Sequence, residues 1–285
     1  MSDFISILLL PPIFRGFIGM MISGACFPVC GVIVVRMGLI PLRYMLMHGV
    51  ILGGAIAIAS SLPLIPVIII VNIILVFLMI SVSKNQSFSF SGGSAAIMVI
   101  SMAFASLISH IKNIPSKDSL NILWGSPFTL MASDIIILVV VSVLMIIFII
   151  FNFNKILAFF YNVEIAVSIG FKKDLFYDSV IIITAFIVAL GMKLLGAFLI
   201  DSLLILPVLC SASILHFFRN CNGIRKLFII SSITGFIFSV IGYLAAVKLD
   251  FPPSAVIALL SGSVFVFTRI VVFILKIFKV KSWEN

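Results

Sequence analysis

Long runs of apolar residues, broken by short polar connections, dominate this chain from end to end. Nine such runs are visible, at roughly Phe17–Val35, Tyr44–Ser61, Leu64–Val82, Gly93–Ser109, Ile135–Phe151, Val180–Gly191, Ala197–Leu215, Leu227–Val247 and Ala255–Ile277. The sixth is short and is read as continuing through Lys193 to Leu195. Most are close to the ~20 residues that cross a bilayer as a helix. In lipid a spanning backbone must satisfy its own hydrogen bonds, so each run is predicted to be a helix. The pattern predicts an all-α, polytopic transmembrane bundle of about 8–9 spans, with residues 1–285 forming one domain. Pro11 and Pro12 are read as separating a short interfacial stretch from the first span.

Composition agrees. Of 285 residues 63% are hydrophobic, and only 9% are charged, against roughly 25% in a soluble domain. So few charges cannot cover a water-exposed surface of this size. The net charge of +9 raises nucleic acid as a partner. The basic residues sit mostly in short loops, however, and form no stripe with interleaved aromatics, so a membrane face is the better reading and no nucleic-acid partner is expected.

Lys and Arg set the orientation. If all nine runs span, one side holds Arg36, Arg43, Lys84, Lys155, Lys172, Lys173, Arg219, Arg225, Lys226, Lys276, Lys279 and Lys281. The other holds Arg15, Lys112, Lys117, Lys193 and Lys248, with Arg269 left inside the last span. Twelve against five puts the first side in the cytoplasm, the N-terminus outside and the C-terminus inside. In a cysteine-free background, single cysteines at Ser116 and Ser168 should therefore react with an impermeant maleimide from opposite faces. Labelling of both from one face would sink the nine-span arrangement.

Enzyme signatures are missing. The chain has no GxSxG, HExxH, GxGxxG or GxxxxGK[ST], so any ATP-driven work needs a second polypeptide. Cys26 and Cys30 share a helix face, either as small packing residues or as a soft-metal or redox pair. The GxxxG of Gly49 and Gly53, and the spacing-four series Ser231, Gly235 and Ser239, fit close helix packing.

Ionisable groups within apolar spans default to functional candidates because each costs several kcal/mol. His48 stands in the second run, either on a transport path or as a helix-contact histidine. Asp201 stands in the seventh, as a path residue, as the counter-charge of Lys193 or as a cap on a neighbouring helix. An imidazole and a carboxylate are both ligands for a divalent metal. Lys193 and Arg269 are read as snorkelling to an interface.

The loop at about 152–178 reads NFNKILAFFYNVEIAVSIGFKKDLFYD. Within it Glu164–Gly170 forms a short amphipathic helix ended by glycine, followed by Lys172 and Lys173. It suits a cytoplasmic partner or a lipid interface. An acidic residue, Ala166 and Gly170 in this spacing, before a long apolar hairpin, resemble the permeases of bacterial ABC importers of zinc/manganese type. Three further stretches carry the same resemblance. They are Val188–Ala212 with Lys193, Gly196, Leu203, Leu204, Ile205 and Pro207; Ile122–Ser126; and Gly31–Met37 followed by His48–Gly53. The four lie in family order over nearly the whole chain. The family's Asp one turn before its His is Tyr44 here, with Arg43 beside it, and Asp201 falls where the family has a small residue.

The resemblance implies a permease, not an enzyme, in the bacterial cytoplasmic (inner) membrane. It implies a separate ATP-binding subunit, an extracytoplasmic metal-binding protein and a second permease chain, with no cofactor bound by this chain and a divalent metal ion as substrate. His48, at the place of the family's His, would meet the metal, with Asp201, singled out by its cost inside the span and not by the resemblance, as the candidate second ligand. Glu164, Ala166, Gly170, Lys172 and Lys173 would couple to the ATPase. A permease for iron–siderophore or cobalamin, or an ion-coupled secondary transporter, are the alternatives.

Overall fold

The computed structural model of the chain describes residues 6–84, 90–115, 125–161, 167, 173–217 and 223–281. Among these the protein is a bundle of nine helices with no strand. They are α1 (Pro11–Arg36), α2 (Ile40–Ser60), α3 (Leu64–Lys84), α4 (Phe90–Ile111), α5 (Ala132–Tyr161), α6 (Lys173–Leu195), α7 (Ala197–Phe217), α8 (Ile224–Leu249) and α9 (Pro253–Lys281), with a 3₁₀ turn at Pro127–Thr129. All nine are long and apolar enough to cross a membrane. The chain is a multi-pass membrane protein.

Several helices outrun the apolar segments. Pro11 opens α1, after a helical stretch at residues 6–8 that ends in the turn at Leu9 and Leu10. Its missing N–H is one that the first turn leaves unbonded anyway. Pro41 does the same for α2. At the other end α5 runs ten residues past Phe151, because Ile156 and Phe159 stay buried and Phe159 stacks on Phe176 of α6 at 4.9 Å. α6 likewise begins at Lys173, not Val180. The loop expected at 152–178 is thus helical at both ends. The Glu164–Gly170 segment with Lys172 lies outside the described residues except for Val167, as does the side chain of Lys173.

The turn between α1 and α2 is set by its sequence. Gly38 adopts φ +69° and Leu39 N–H donates to the Val34 carbonyl at 2.8 Å, closing α1 in the manner of a glycine C-cap.

Glycine decides how the helices meet. Lipid offers no hydrophobic drive between spans, so close backbone approach has to supply contact. Along α1, Gly16 faces Tyr243 and the Pro127 carbonyl, Gly24 faces Gly235 and Ser239 of α8, and Gly31 faces the Leu204 carbonyl of α7. The small-residue series of α8 is therefore the seam for α1, sealed by Ser232 Oγ donating to the Ala25 carbonyl at 2.6 Å and Tyr243 Oη to that of Ile13 at 2.7 Å. Gly49 and Gly53 of α2 receive α3, with a Cβ at Gly53 only 2.7 Å from Ile68 Cα. Both small-residue motifs are packing seams.

The connection into α5 dips into the protein. Gly125 has φ +54° and its Cα side abuts Gly196, the residue between α6 and α7, itself at φ +100°. Pro127 and Leu130 are buried beneath, against α1. Irregular backbone is tolerated at such a place because other protein covers it.

Candidate functional site

Arg43 and Asp201 meet inside the bundle. Arg43 lies on the first turn of α2, at the end of the bundle where α1 finishes with Arg36. Asp201 lies one turn into α7, past the Gly125–Gly196 contact at the opposite end. Arg43 Nη1 and Asp201 Oδ1 are 3.2 Å apart, with side chains 7% and 15% exposed. The long Arg43 stem thus carries its charge inward rather than out to a headgroup. Arg43 Nε and Asp201 Oδ1 each lack a hydrogen bond, so their desolvation is offset by the ion-pair attraction and, for Arg43, by the Tyr44 ring 4.2 Å from its guanidinium carbon. The charge count had placed Arg43 among loop cations. The structure places it in the interior, because Asp201 gives it a partner there. The same pair answers the question left open for Asp201, whose counter-charge is Arg43 and not Lys193.

His48 sits elsewhere on α2. Five residues on from Arg43 turn the helix about 140°. The Arg43 face is buried with Leu46, Val50 and Gly53, whereas His48 is half-exposed between Tyr44, Met47 and Ile51. His48 Nδ1 donates to the Tyr44 carbonyl at 2.8 Å. In the neutral ring that bond places the proton on Nδ1 and turns the lone pair to Nε2, the arrangement by which a supporting acceptor prepares an imidazole as a metal ligand. The structure brings Asp201 to Arg43 and leaves His48 on another side of the helix.

Behind His48 is a residue that sequence reading passed over. Asn72 of α3 is 2% exposed, its amide donates to the Ile68 carbonyl at 2.9 Å, and its Oδ1 points at Gly49 without a hydrogen bond. An asparagine within VIIIVNIILV was the signal that could have found it. Lys193 is half-buried in the last turn of α6, and Arg269 is exposed on α9. Cys26 and Cys30 are buried on α1 and unpaired. No cluster of three or more His, Cys, Asp or Glu side chains able to hold a metal is present among the described residues.

The nine membrane helices frame a buried ion pair and an oriented histidine, and the chain belongs to the ABC 3 transport family, which matches it over residues 10–272. Its relatives narrow the kind. It is 31% identical over 170 residues to the high-affinity zinc uptake system membrane protein ZnuB of Buchnera aphidicola, a match covering 59% of this chain and 61% of that one. Its fold is that of a chain of PsaBC from Streptococcus pneumoniae, solved in complex with Fab, at a TM-score of 0.79, 17% identity and 94% of both chains. An ABC transporter of metal-chelate type, in an inward-facing conformation, shares the fold at a TM-score of 0.74 and 17% identity, over 90% of this chain and 84% of that one.

Proposed function

We propose that this chain is the membrane permease of an ATP-driven importer of divalent metal ions, zinc, manganese or ferrous iron, in the bacterial cytoplasmic membrane. The observation that carries the metal reading is His48, with Nδ1 bound to the Tyr44 carbonyl and Nε2 free. A neutral imidazole ligates a metal without adding charge to the bilayer. Family membership and a relative named for zinc uptake support the transport class and the cargo.

His48 stands on the half-exposed side of α2, so its proposed place is a path walled partly by a second permease chain, each chain contributing one imidazole. Asp201, tied to Arg43, reaches the metal only if Arg43 lets go. ATP is bound by separate subunits, which act on Glu164, Ala166, Gly170, Lys172 and Lys173. An extracytoplasmic binding protein delivers the ion. The end of the bundle at Arg36 faces the cytoplasm in this reading.

The test is uptake of zinc, manganese and ferrous ions into vesicles holding the permease with its ATPase. His48→Ala should cut uptake per folded molecule by more than the roughly 10- to 100-fold that loss of a supporting partner costs a metal site. Reduced folded protein with normal uptake per molecule would make His48 a packing residue. Uptake of a chelate but not of free ions would sink the cargo assignment.

A further inference from the structure

A cavity of about 760 Å³ opens at the Arg36 end of the bundle, between α1, α7, α8 and α9. Its polar wall carries Arg36, the last residue of α1, and Arg269 of α9, with Ser213 beside them. Its apolar wall carries Leu209, Leu227 and Phe265. Among the described residues neither guanidinium has an acidic or hydrogen-bonding partner, and none that lines the cavity is acidic. At its rim α8 starts at Gly223 and Ile224 without a side-chain cap, leaving first-turn N–H groups at the same place.

We propose that this cavity binds an anionic phospholipid, its phosphate between Arg36 and Arg269 and an acyl chain along Leu209, Leu227 and Phe265. Two like charges facing one space without an acid call for an anion. The pair also repels a divalent cation, which removes the cavity from the metal path. The occupant is lipid rather than a free anion for two reasons. Arg36 ends a membrane-spanning helix, so the mouth lies at headgroup level. Arg269 lies 16 residues, about 24 Å, into α9, which brings it to the same end. Behind the arginines the wall turns apolar, which suits a chain that free phosphate lacks. Basic pockets between spans are a recurring seat for acidic headgroups. The inference is independent of which ion the protein carries.

The test uses the purified full-length chain in neutral detergent, titrated with phosphatidylglycerol, phosphatidylcholine or inorganic phosphate, and read by thermal midpoint and by native mass spectrometry. Phosphatidylglycerol should raise the midpoint and remain bound at one molecule per chain, and the other two should not. R36Q/R269Q should weaken that binding roughly thirtyfold. R225Q removes a cation at the same end that instead lies over the Phe153 ring, 5.5 Å from its centroid, and should leave binding unchanged. L209W, which fills the apolar wall, should weaken phosphatidylglycerol without touching either arginine. Equal response to phosphatidylcholine, retention in R36Q/R269Q, or equal loss in R225Q would overturn the site. An equal response to inorganic phosphate would overturn the lipid as its occupant.

Discussion

Arg43→Leu alone, or Asp201→Leu alone, should lower stability by about 3–5 kcal/mol, while the double variant R43L/D201L should recover most of it. Either single change leaves one buried charge with no counter-charge, since the two groups, 3.2 Å apart, are each other's ion-pair partner. The hydrogen-bond vacancies at Arg43 Nε and Asp201 Oδ1 mean that the intact pair is imperfectly compensated to begin with. Two leucines of comparable bulk should therefore serve nearly as well for folding. Thermal midpoint and monodisperse yield in detergent measure this. A double variant no better than the singles would show that the pair is not a closed unit. The recovered double variant then separates brace from ligand. Folded protein with normal metal uptake makes Asp201 a brace between α2 and α7. Folded protein without uptake gives it a part in the path, with Arg43 as the tethered cation that metal must displace.

Gly125→Ala should be nearly as damaging, for a different reason. At φ +54° an L-residue costs roughly 1–2 kcal/mol, and the added Cβ runs into the backbone of Gly196 and Leu195. Backbone cannot swing aside as a side chain can, so a further 1–3 kcal/mol or so of overpacking is expected. Gly38 provides the internal control. It too has positive φ, +69°, but a Cβ there meets nothing within 4 Å. Gly38→Ala should cost about 1 kcal/mol, the conformational part alone. If both substitutions lower the thermal midpoint equally, the approach of the two connections is not what holds them.

Gly125 and Gly196 also show what the sequence could and could not reveal. Each stood in a separate stretch carrying the family resemblance, and nothing in either stretch said that they touch. Periodicity is local, and it located all nine helices. It misjudged their ends where burial continued past the lipid-like run, as at Ile156 and Phe159, because a helix extended by side-chain stacking has no excess of leucine and isoleucine to announce it. The charge rule sorted cations by position in the chain and had no means of seeing a partner. Arg43 was therefore counted as a loop residue, and Asp201 stood out only for its cost. Their pairing joins the second and seventh helices, an adjacency that no short-range pattern encodes. His48 was legible as a polar group out of place. The bond that orients it, to the carbonyl one turn back, is local to α2 and was in principle readable from i, i−4 spacing.

The seam between α1 and α8 has a consequence for how the protein is made. No helix packs along α1 more extensively than α8, the last but one to be synthesised. At roughly 5–20 residues per second, the stretch from Arg36 to Leu249 occupies a ribosome for about ten to forty seconds. Throughout that interval Gly16 and Gly24 of α1 wait in the bilayer without the α8 residues Tyr243, Gly235 and Ser239 that will face them. A chain cut short after α7 would keep that face open for good. Membrane quality control would thus have a simple cue for telling an unfinished molecule from a finished one, the exposed small-residue stripe of its first helix.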